Sequence, residues 1–405
     1  MFRFRRYRRL LPFRHIRAIS IAIVAIIICL IIRYNFQIHG MRDSKKMVSK
    51  NVEFKYILQW THHSNPSAFD DLGAGYSVFE KNQCKFRHCF IVNDKRYFPL
   101  QMEFDAILFN GKDISKLTRY EMPTKRRPKQ KYIFVAMESS DNYPVCDEHY
   151  DGFFNWTWTY KVDSDFRWGY ITAYDLNGTA VGPAVDMKWE KDMRPISKEL
   201  KEKLSSKKKA AAWFVSNCST KRKREFFVKK VQRELHEFGL TVDVYSARCG
   251  TFICPKTEAA RCFKKIETDY YFYFSFENSF AEDYVTEKLG TALLNYAVPV
   301  VYGEANYSRF LPPGSYLDAI ALGPKELARQ MKNIMDNPPL YHDFFRWRNH
   351  YSYQNTVSKD ICKLCEMLYD KRKMSQTTTW YNFRSWWNGA RYKENCHSAV
   401  KRTAL

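Results

Sequence analysis

The stretch from Tyr270 to Gly303, YYFYFSFENSFAEDYVTEKLGTALLNYAVPVVYG, constrains the fold more than any other part of the chain. The aromatic run Tyr270–Phe276 reads as a buried strand. Apolar residues at Val285, Leu289, Ala292, Leu293 and Tyr296 then recur at the spacing of one helical face. Pro299 breaks that pattern, and Val298–Tyr302 reads as a second apolar strand. Strand, helix and strand within about thirty residues make a βαβ unit, which requires a parallel sheet. Ligands of such sheets collect at the carboxyl ends of the strands, here at Glu277, Asn278 and Ser279. The helix is expected to start at Ser279, where Ser-x-x-Glu with Glu282 makes a capping box, or at Asp283. Either start turns free backbone N–H groups toward the crevice, which suits a phosphate.

The chain has 405 residues, for which two domains are the natural expectation. A net charge of +23 fits nucleic-acid binders, but its distribution argues otherwise. Residues 1–50 hold twelve Lys/Arg against one Asp, so +11 lies there and only +12 is spread over the other 355 residues. That milder excess suits a nucleotide diphosphate or an anionic membrane. Residues 1–17 carry seven arginines and no acid, and Ala18–Ile32 is uncharged. Such a segment covers roughly 22 Å as a helix, and Arg17 and Arg33 can snorkel. It reads as a signal anchor with a cytosolic amino terminus. A cleaved signal peptide has similar length, but no small-residue cleavage site precedes Arg33. Of eleven cysteines, Cys29 lies in this segment. The other ten lie beyond it, an even number open to disulfides if that side is lumenal. Cys84 and Cys89 either close a small loop or pair elsewhere. Cys362-Lys-Leu-Cys365 also has zinc-ligand spacing, without a second CxxC.

FKYILQW from Phe54, QMEFDAILFNG and KYIFVAMESS (Lys131–Ser140) read as strands, the last with Glu138 at its carboxyl end. An aromatic element follows from Phe153 to Tyr170, then a charge-rich linker from Asp186 to Lys209. AAAWFVSNCST gives another strand, ending at Ser216 and Asn217. The helix KRKREFFVKKVQRELHEFG stops at Gly239, and its basic start suits a phosphate better than it suits the helix dipole. TVDVYSARCG is a further strand, Pro324–Asp336 a further helix, and beyond Tyr369 no pattern is evident. Of the sequons at Asn155, Asn177, Asn217 and Asn306, those at Asn177 and Asn306 are expected to carry glycans. Asn155 falls in the aromatic element and Asn217 at the crevice, where access is poor.

FENS, then EDYVTEK, an apolar helix and AVPVVYG, resembles the donor-site signature of the α1,3-fucosyltransferases (glycosyltransferase family 10) of the animal Golgi type II membrane type. FNWTWTY with DSD, RFLPPGSYLD and the closing CxxC are similar too, so the resemblance covers about residues 54–366. Ser140 departs from it, since members usually carry Pro after the Glu-Ser pair. The resemblance implies an α/β, GT-B fold: two Rossmann-like domains facing a cleft, behind an N-terminal signal-anchor helix. The divisions expected are a cytosolic tail 1–17, anchor 18–33, stem 34–52, acceptor-side domain 53–195, linker 196–209, GDP-fucose-binding domain 210–350 and C-terminal segment 351–405. The implied reaction is transfer of fucose from GDP-β-L-fucose in α1,3 linkage to N-acetylglucosamine of glycoprotein or glycolipid glycans, by an inverting single displacement.

Carried over residue by residue, the resemblance makes Glu138 the base for the acceptor hydroxyl. Glu287 would face the fucose hydroxyls and the developing ring charge. Lys288 and Arg224 would neutralise the diphosphate, with Arg222 the neighbouring alternative to Arg224. Ser216, Asn217, Glu277, Asn278 and Tyr284 complete the donor site, and Tyr160 and Asp165 the acceptor side. Glu287 and Lys288 point about 100° apart on a helix and are expected to address different parts of one ligand. The resemblance also implies that the CxxC pair is a structural disulfide rather than a redox centre, and Cys84, Cys89, Cys362 and Cys365 are the disulfide candidates. Asp163-Ser-Asp165 has the form of a metal motif but matches the family's DSD, which is not one. No metal is therefore obligatory, with Mg2+ or Mn2+ as a stimulant only. The implied partners are GDP-fucose, a GlcNAc-containing glycan and the Golgi membrane, with a lumenal catalytic part, no nucleic acid, and a homodimer allowed. A non-catalytic glycan-binding membrane protein on the same fold is the alternative.

Overall fold

In a computed structural model, which describes residues 53–61 and 69–400, the branched and aromatic runs pair in parallel in two separate sheets. The expected tail, anchor and stem over residues 1–52 lie outside the described residues. Among those described, no helix is long and apolar enough to cross a membrane.

The first sheet holds β1 (Lys55–Gln59), β2 (Cys89–Val92), β3 (Ala106–Asn110), β4 (Lys131–Ala136), β5 (Trp156–Thr159) and β6 (Phe166–Arg167). Their order is β2-β1-β3-β4-β5-β6, every pair parallel. Both faces are covered, which is why β3 and β4 are buried along their whole length. Alternate residues feed two cores. Leu108, Ile133 and Val135 pack with Ile361, Leu364 and Leu368 of the helix Val357–Tyr369. Phe109, Tyr132 and Phe134 pack with Phe383 and Trp387 of the helix Phe383–Asn388. The tail that showed no pattern therefore supplies half the cover of this sheet. Burial of each such side chain is worth about 1.5–3 kcal/mol.

The chain then makes β7 (Thr172–Asp175) and β8 (Ala180–Gly182) before the second sheet. That sheet holds β9 (Lys209–Phe214), β10 (Val242–Tyr245), β11 (Tyr270–Phe276), β12 (Val298–Tyr302) and β13 (Leu317–Asp318) in the order β10-β9-β11-β12-β13, again all parallel. Helices Arg224–His236 and Ala319–Asp336 cover one face through Val228, Val231, Leu327 and Met331. Ile266 and Ala292 cover the other. Finally β14 (Tyr351–Gln354) returns to pair antiparallel with β7, on the edge opposite β8.

Several expectations need correction. The helix expected from Ser279 or Asp283 begins only at Glu287. Asp283 adopts a left-handed φ of 58°, and the capping candidates are used elsewhere: the Ser279 hydroxyl meets that of Ser139 at 2.5 Å, and Glu282 pairs with Lys161. Tyr296 lies beyond that helix. The helix expected from Pro324 to Asp336 stands as expected beyond a break at Gly323 (φ 69°), and a short helical turn from Ala319, capped by Asp318 at Ile320 and Ala321, precedes it. The linker 196–209 contains the helix Lys198–Leu204, capped by Ser197. Asn155 is buried, its amide bonded to Tyr132 N and Thr378 O, whereas Asn177 and Asn306 are exposed.

Of the two readings for Cys84 and Cys89, the small loop does not form and both pair elsewhere, and the cysteines of the CxxC are bridged, though not to each other. Cys84 bonds Cys362 and Cys89 bonds Cys365, so the motif is stitched to β2 and the turn before it. Cys146–Cys396, Cys218–Cys249 and Cys254–Cys262 complete five bridges. Replacing Cys89 and Cys365 together by Ser is expected to cost about 2–5 kcal/mol of stability, measured by denaturant unfolding, because the bridge closes a very long loop between buried positions. A cost near zero would show that this bridge does not constrain the chain.

Candidate active site

The order of the second sheet reverses between β9 and β11, and the loops leaving their carboxyl ends part there to form a crevice. Glu277, just past β11, is 1% exposed. Its Oε1 accepts from the Thr286 N–H at 2.9 Å, and the Thr286 hydroxyl lies 3.0 and 2.9 Å from its two oxygens. Lys288 Nζ stands 3.1 Å from Glu277 Oε2 and donates to Thr286 Oγ1 at 2.6 Å and Glu287 Oε1 at 3.0 Å. The buried carboxylate thus fixes both the start of the helix Glu287–Leu294 and the lysine on its first turn. Arg224 braces the two loops from beneath, donating to Phe276 O and Asn217 O.

The first sheet delivers the carboxyl end of β4 to the same place. Glu138 Oε2 accepts from the Tyr284 hydroxyl at 3.0 Å, and Asn142 Nδ2 lies at 3.5 Å. Asp141, buried, accepts from Lys221 at 2.6 Å and from the Arg222 guanidinium through both of its oxygens. Lys161 pairs with Glu282 at 3.0 Å, and Asp283 accepts from Val162 N and pairs with Arg309 at 2.8 Å. Glu138 also lines a cavity of about 360 Å³, with Asn110, Lys112, Tyr143 and Tyr170 among its other walls.

Comparison with known proteins decides the family. The model "Glycosyltransferase family 10 (fucosyltransferase) C-term" matches residues 204–386, and "Fucosyltransferase, N-terminal" matches residues 53–171. Alpha-(1,3)-fucosyltransferase C of Drosophila melanogaster is 38% identical over 82% of this chain and 77% of its own length. The chain belongs to glycosyltransferase family 10, the fucosyltransferases. The 4-galactosyl-N-acetylglucosaminide 3-alpha-L-fucosyltransferase of Hylobates lar is 30% identical over 74% of this fucosyltransferase and 72% of its own length. A solved alpha1,3-fucosyltransferase with GDP-fucose superposes with a TM-score of 0.47 at 14% identity, covering 83% of this chain and 95% of that one.

In this fucosyltransferase Glu138, Glu277, Tyr284, Glu287 and Lys288 come together as one constellation. Ser216 and Asn217 lie exposed at the end of β9, and Asn278 lies beside Ser279. Four of the expected roles meet a different geometry. Glu287 and Lys288 do not diverge but pair directly, because both side chains lean back over the helix start. Arg224 is 3% exposed; its Nη1 and Nη2 donate to the backbone carbonyls of Phe276 and Asn217, while its buried Nε meets no hydrogen-bond partner among the described residues, so the side chain braces the two loops. Tyr160 is 1% exposed, packed edge-on against Tyr284, and its hydroxyl accepts from Ser140 N. Asp165 accepts from Thr157 and Trp380, and Asp163 from Trp386, so both carboxylates of the DSD turn serve the tail. Sequence reading missed Asp141 and Thr286. Thr286 sits inside the YVTEK motif, whereas Asp141 carries no local signal.

Electrostatics keep Lys288 charged. Burial works against its ammonium, but Glu277 and Glu287 outweigh it and hold its pKa above the ordinary value. Glu277 is pushed up by burial, with Lys288 opposing. At Asp141 burial is likewise overcome, and Arg222 and Lys221 hold the carboxyl below its usual range. A raised lysine pKa means that its stabilising contribution is complete below the ordinary 10.5 and is lost as pH rises through the higher folded value. Lys288→Ala strands a buried carboxylate and is expected to cost about 3 kcal/mol at neutral pH. Calorimetry checks this, and pairing the change with Glu277→Gln should recover part of the loss. No recovery in the double variant would mean that the lysine does not neutralise Glu277.

Proposed function

We propose that this fucosyltransferase transfers fucose from GDP-β-L-fucose in α1,3 linkage to N-acetylglucosamine of glycoprotein or glycolipid glycans, by an inverting single displacement. The two parallel sheets would be the two Rossmann-like domains of a GT-B arrangement. One juxtaposition carries the reading: Glu138 of the first sheet meets the Tyr284 hydroxyl of the loop that leads into Lys288. A base for one substrate and a cation for the other are thereby set at a single crevice.

In this mechanism the diphosphate lies at Lys288 and at the free N–H groups of the helix start. Glu287, more than half exposed, faces the fucose hydroxyls and the positive charge that develops on the ring. The acceptor enters the cavity beside Glu138. Its hydroxyl gives a proton to Glu138 while its oxygen bonds to the anomeric carbon. The bond from that carbon to the diphosphate breaks, and GDP leaves with the electron pair. Lys288 is already in place for the charge that appears on the leaving oxygen.

Mg2+ or Mn2+ would stimulate without being required, since cationic side chains already stand at the crevice. Five disulfides suit an oxidising compartment. With the arginine-flanked apolar segment 18–33, they support a single-pass type II protein of the Golgi membrane whose catalytic part is lumenal. The reading does not depend on oligomeric state.

The test measures GDP release from GDP-fucose with and without glycans ending in N-acetyllactosamine, its GalNAc-containing analogue, or an N-glycan core. Acceptor-dependent release is expected for the wild type. Glu138→Gln should lower kcat by about 10²–10⁴-fold while GDP affinity holds within about two-fold. Glycan binding without any turnover would replace the enzyme reading with a lectin-like one.

A further inference from the structure

Three residues past Glu138, one buried carboxylate joins the end of β4 to two loops of the second sheet. The side chain of Asp141 has no exposed surface, and both of its oxygens are occupied. Oδ1 accepts from Lys221 Nζ at 2.6 Å and Arg222 Nη2 at 2.5 Å, and Oδ2 from Arg222 Nε at 2.9 Å and Phe280 N at 3.4 Å. Lys221 Nζ donates again to the Asp141 carbonyl at 3.1 Å. The partners are held in turn: the Tyr302 hydroxyl, at the end of β12, donates to Arg222 O at 3.2 Å, and Glu394 of the tail stands 3.4 Å from the Arg222 guanidinium. Asp141 is also part of a closed turn. Asn142 N and Tyr143 N both donate to Ser139 O, at 3.2 and 3.0 Å, and the Ser139 hydroxyl meets that of Ser279. A shift of Asp141 is therefore passed along four residues of chain to Glu138.

We propose that Asp141 is a positioning residue for the transfer: by clasping Lys221, Arg222 and Phe280 N it sets where Glu138 stands relative to the donor crevice. This inference rests on the reaction proposed above, in which the acceptor oxygen is delivered by one half of the protein and the anomeric carbon by the other. In that reaction the gap between them is fixed by whatever ties the two halves together near the base, and Asp141 is the fully buried charge that does so. With its oxygens filled and its surface covered, it touches neither substrate and exchanges no proton.

Asp141→Asn keeps the shape of the side chain and removes its charge. On the full chain in detergent, kcat at saturating donor and acceptor is expected to fall about 10–100-fold, the scale of a misplacement of about 1 Å, while GDP affinity, measured by titration, stays within about three-fold. Assays are run well below the unfolding midpoint of each variant, so that weaker packing does not enter as lost protein. Arg222→Gln cuts the same clasp from the other side and should lower kcat too, again with GDP affinity held. The double variant should lose less than the product of the two single losses, because neighbours in one network are not additive. In a Glu138→Gln background, followed in single turnovers with radiolabelled donor, Asp141→Asn should cost less than about three-fold more. Should Asp141→Asn not yield folded protein, Arg222→Gln carries the test with the same readouts. An unchanged kcat, a fall in GDP affinity that matches the fall in kcat, losses that multiply fully in the double variant, or equal losses with and without Glu138 would overturn the assignment. The underlying reaction fails separately, by a wild type that releases no GDP with any acceptor or a Glu138→Gln protein that turns over at full rate.

Discussion

A carboxylate almost cut off from water holds the working loop of this protein. Burying Glu277 without partners would be prohibitive, and it is tolerated because Thr286 and Lys288 converge on it. The segment between β11 and its helix has few backbone hydrogen bonds of its own, such as Tyr284 N to Ala281 O, so side-chain anchors add to its shape. With Ser279, Asp283 and Thr286 each tied down, the residues between have few conformations left. Tyr284 and Lys288 are then in place before any ligand arrives. That is the arrangement electrostatic catalysis favours, since nothing has to reorganise as charge develops.

Charge as well as apolar packing joins the two sheets. Asp141 draws Lys221 and Arg222 to the end of β4, and Lys161 draws Glu282. The tail adds to this, with Arg391 on Glu304 and Glu394 on Arg222. Ion pairs of this kind add little net stability, yet breaking one is costly when the survivor is buried. They therefore specify which loops face each other more than how tightly they are held.

The strands were legible where burial on both faces left continuous apolar runs: β11 and β12 fall where the sequence placed them. Local capping signals misled at Ser279 and Glu282, because polar side chains that could have capped a helix are bonded across the crevice instead. Nothing in neighbouring residues could have revealed that competition. Glu138, Glu287 and Lys288 were found through a family motif rather than through periodicity, and the same motif could not show that Arg224 faces inward. The tail was unreadable for a different reason. Trp380, Trp386 and Trp387 follow no helical or strand period, since their placement answers to Asp165, Asp163 and Tyr143 O. Disulfide connectivity cannot be read from spacing at all.

Three of the five bridges join positions 278, 276 and 250 residues apart. A polypeptide emerges from the ribosome amino end first, so Cys84, Cys89 and Cys146 must wait as free thiols while most of the chain is made. Their partners at Cys362, Cys365 and Cys396 emerge only after all these intervening residues. Throughout that interval the early cysteines can pair wrongly with one another or with Cys218 and Cys249. Native pairing therefore requires that premature bridges stay reversible until Cys396 is made, and a nonsense mutation only a few codons before Cys396 would leave Cys146 without its partner.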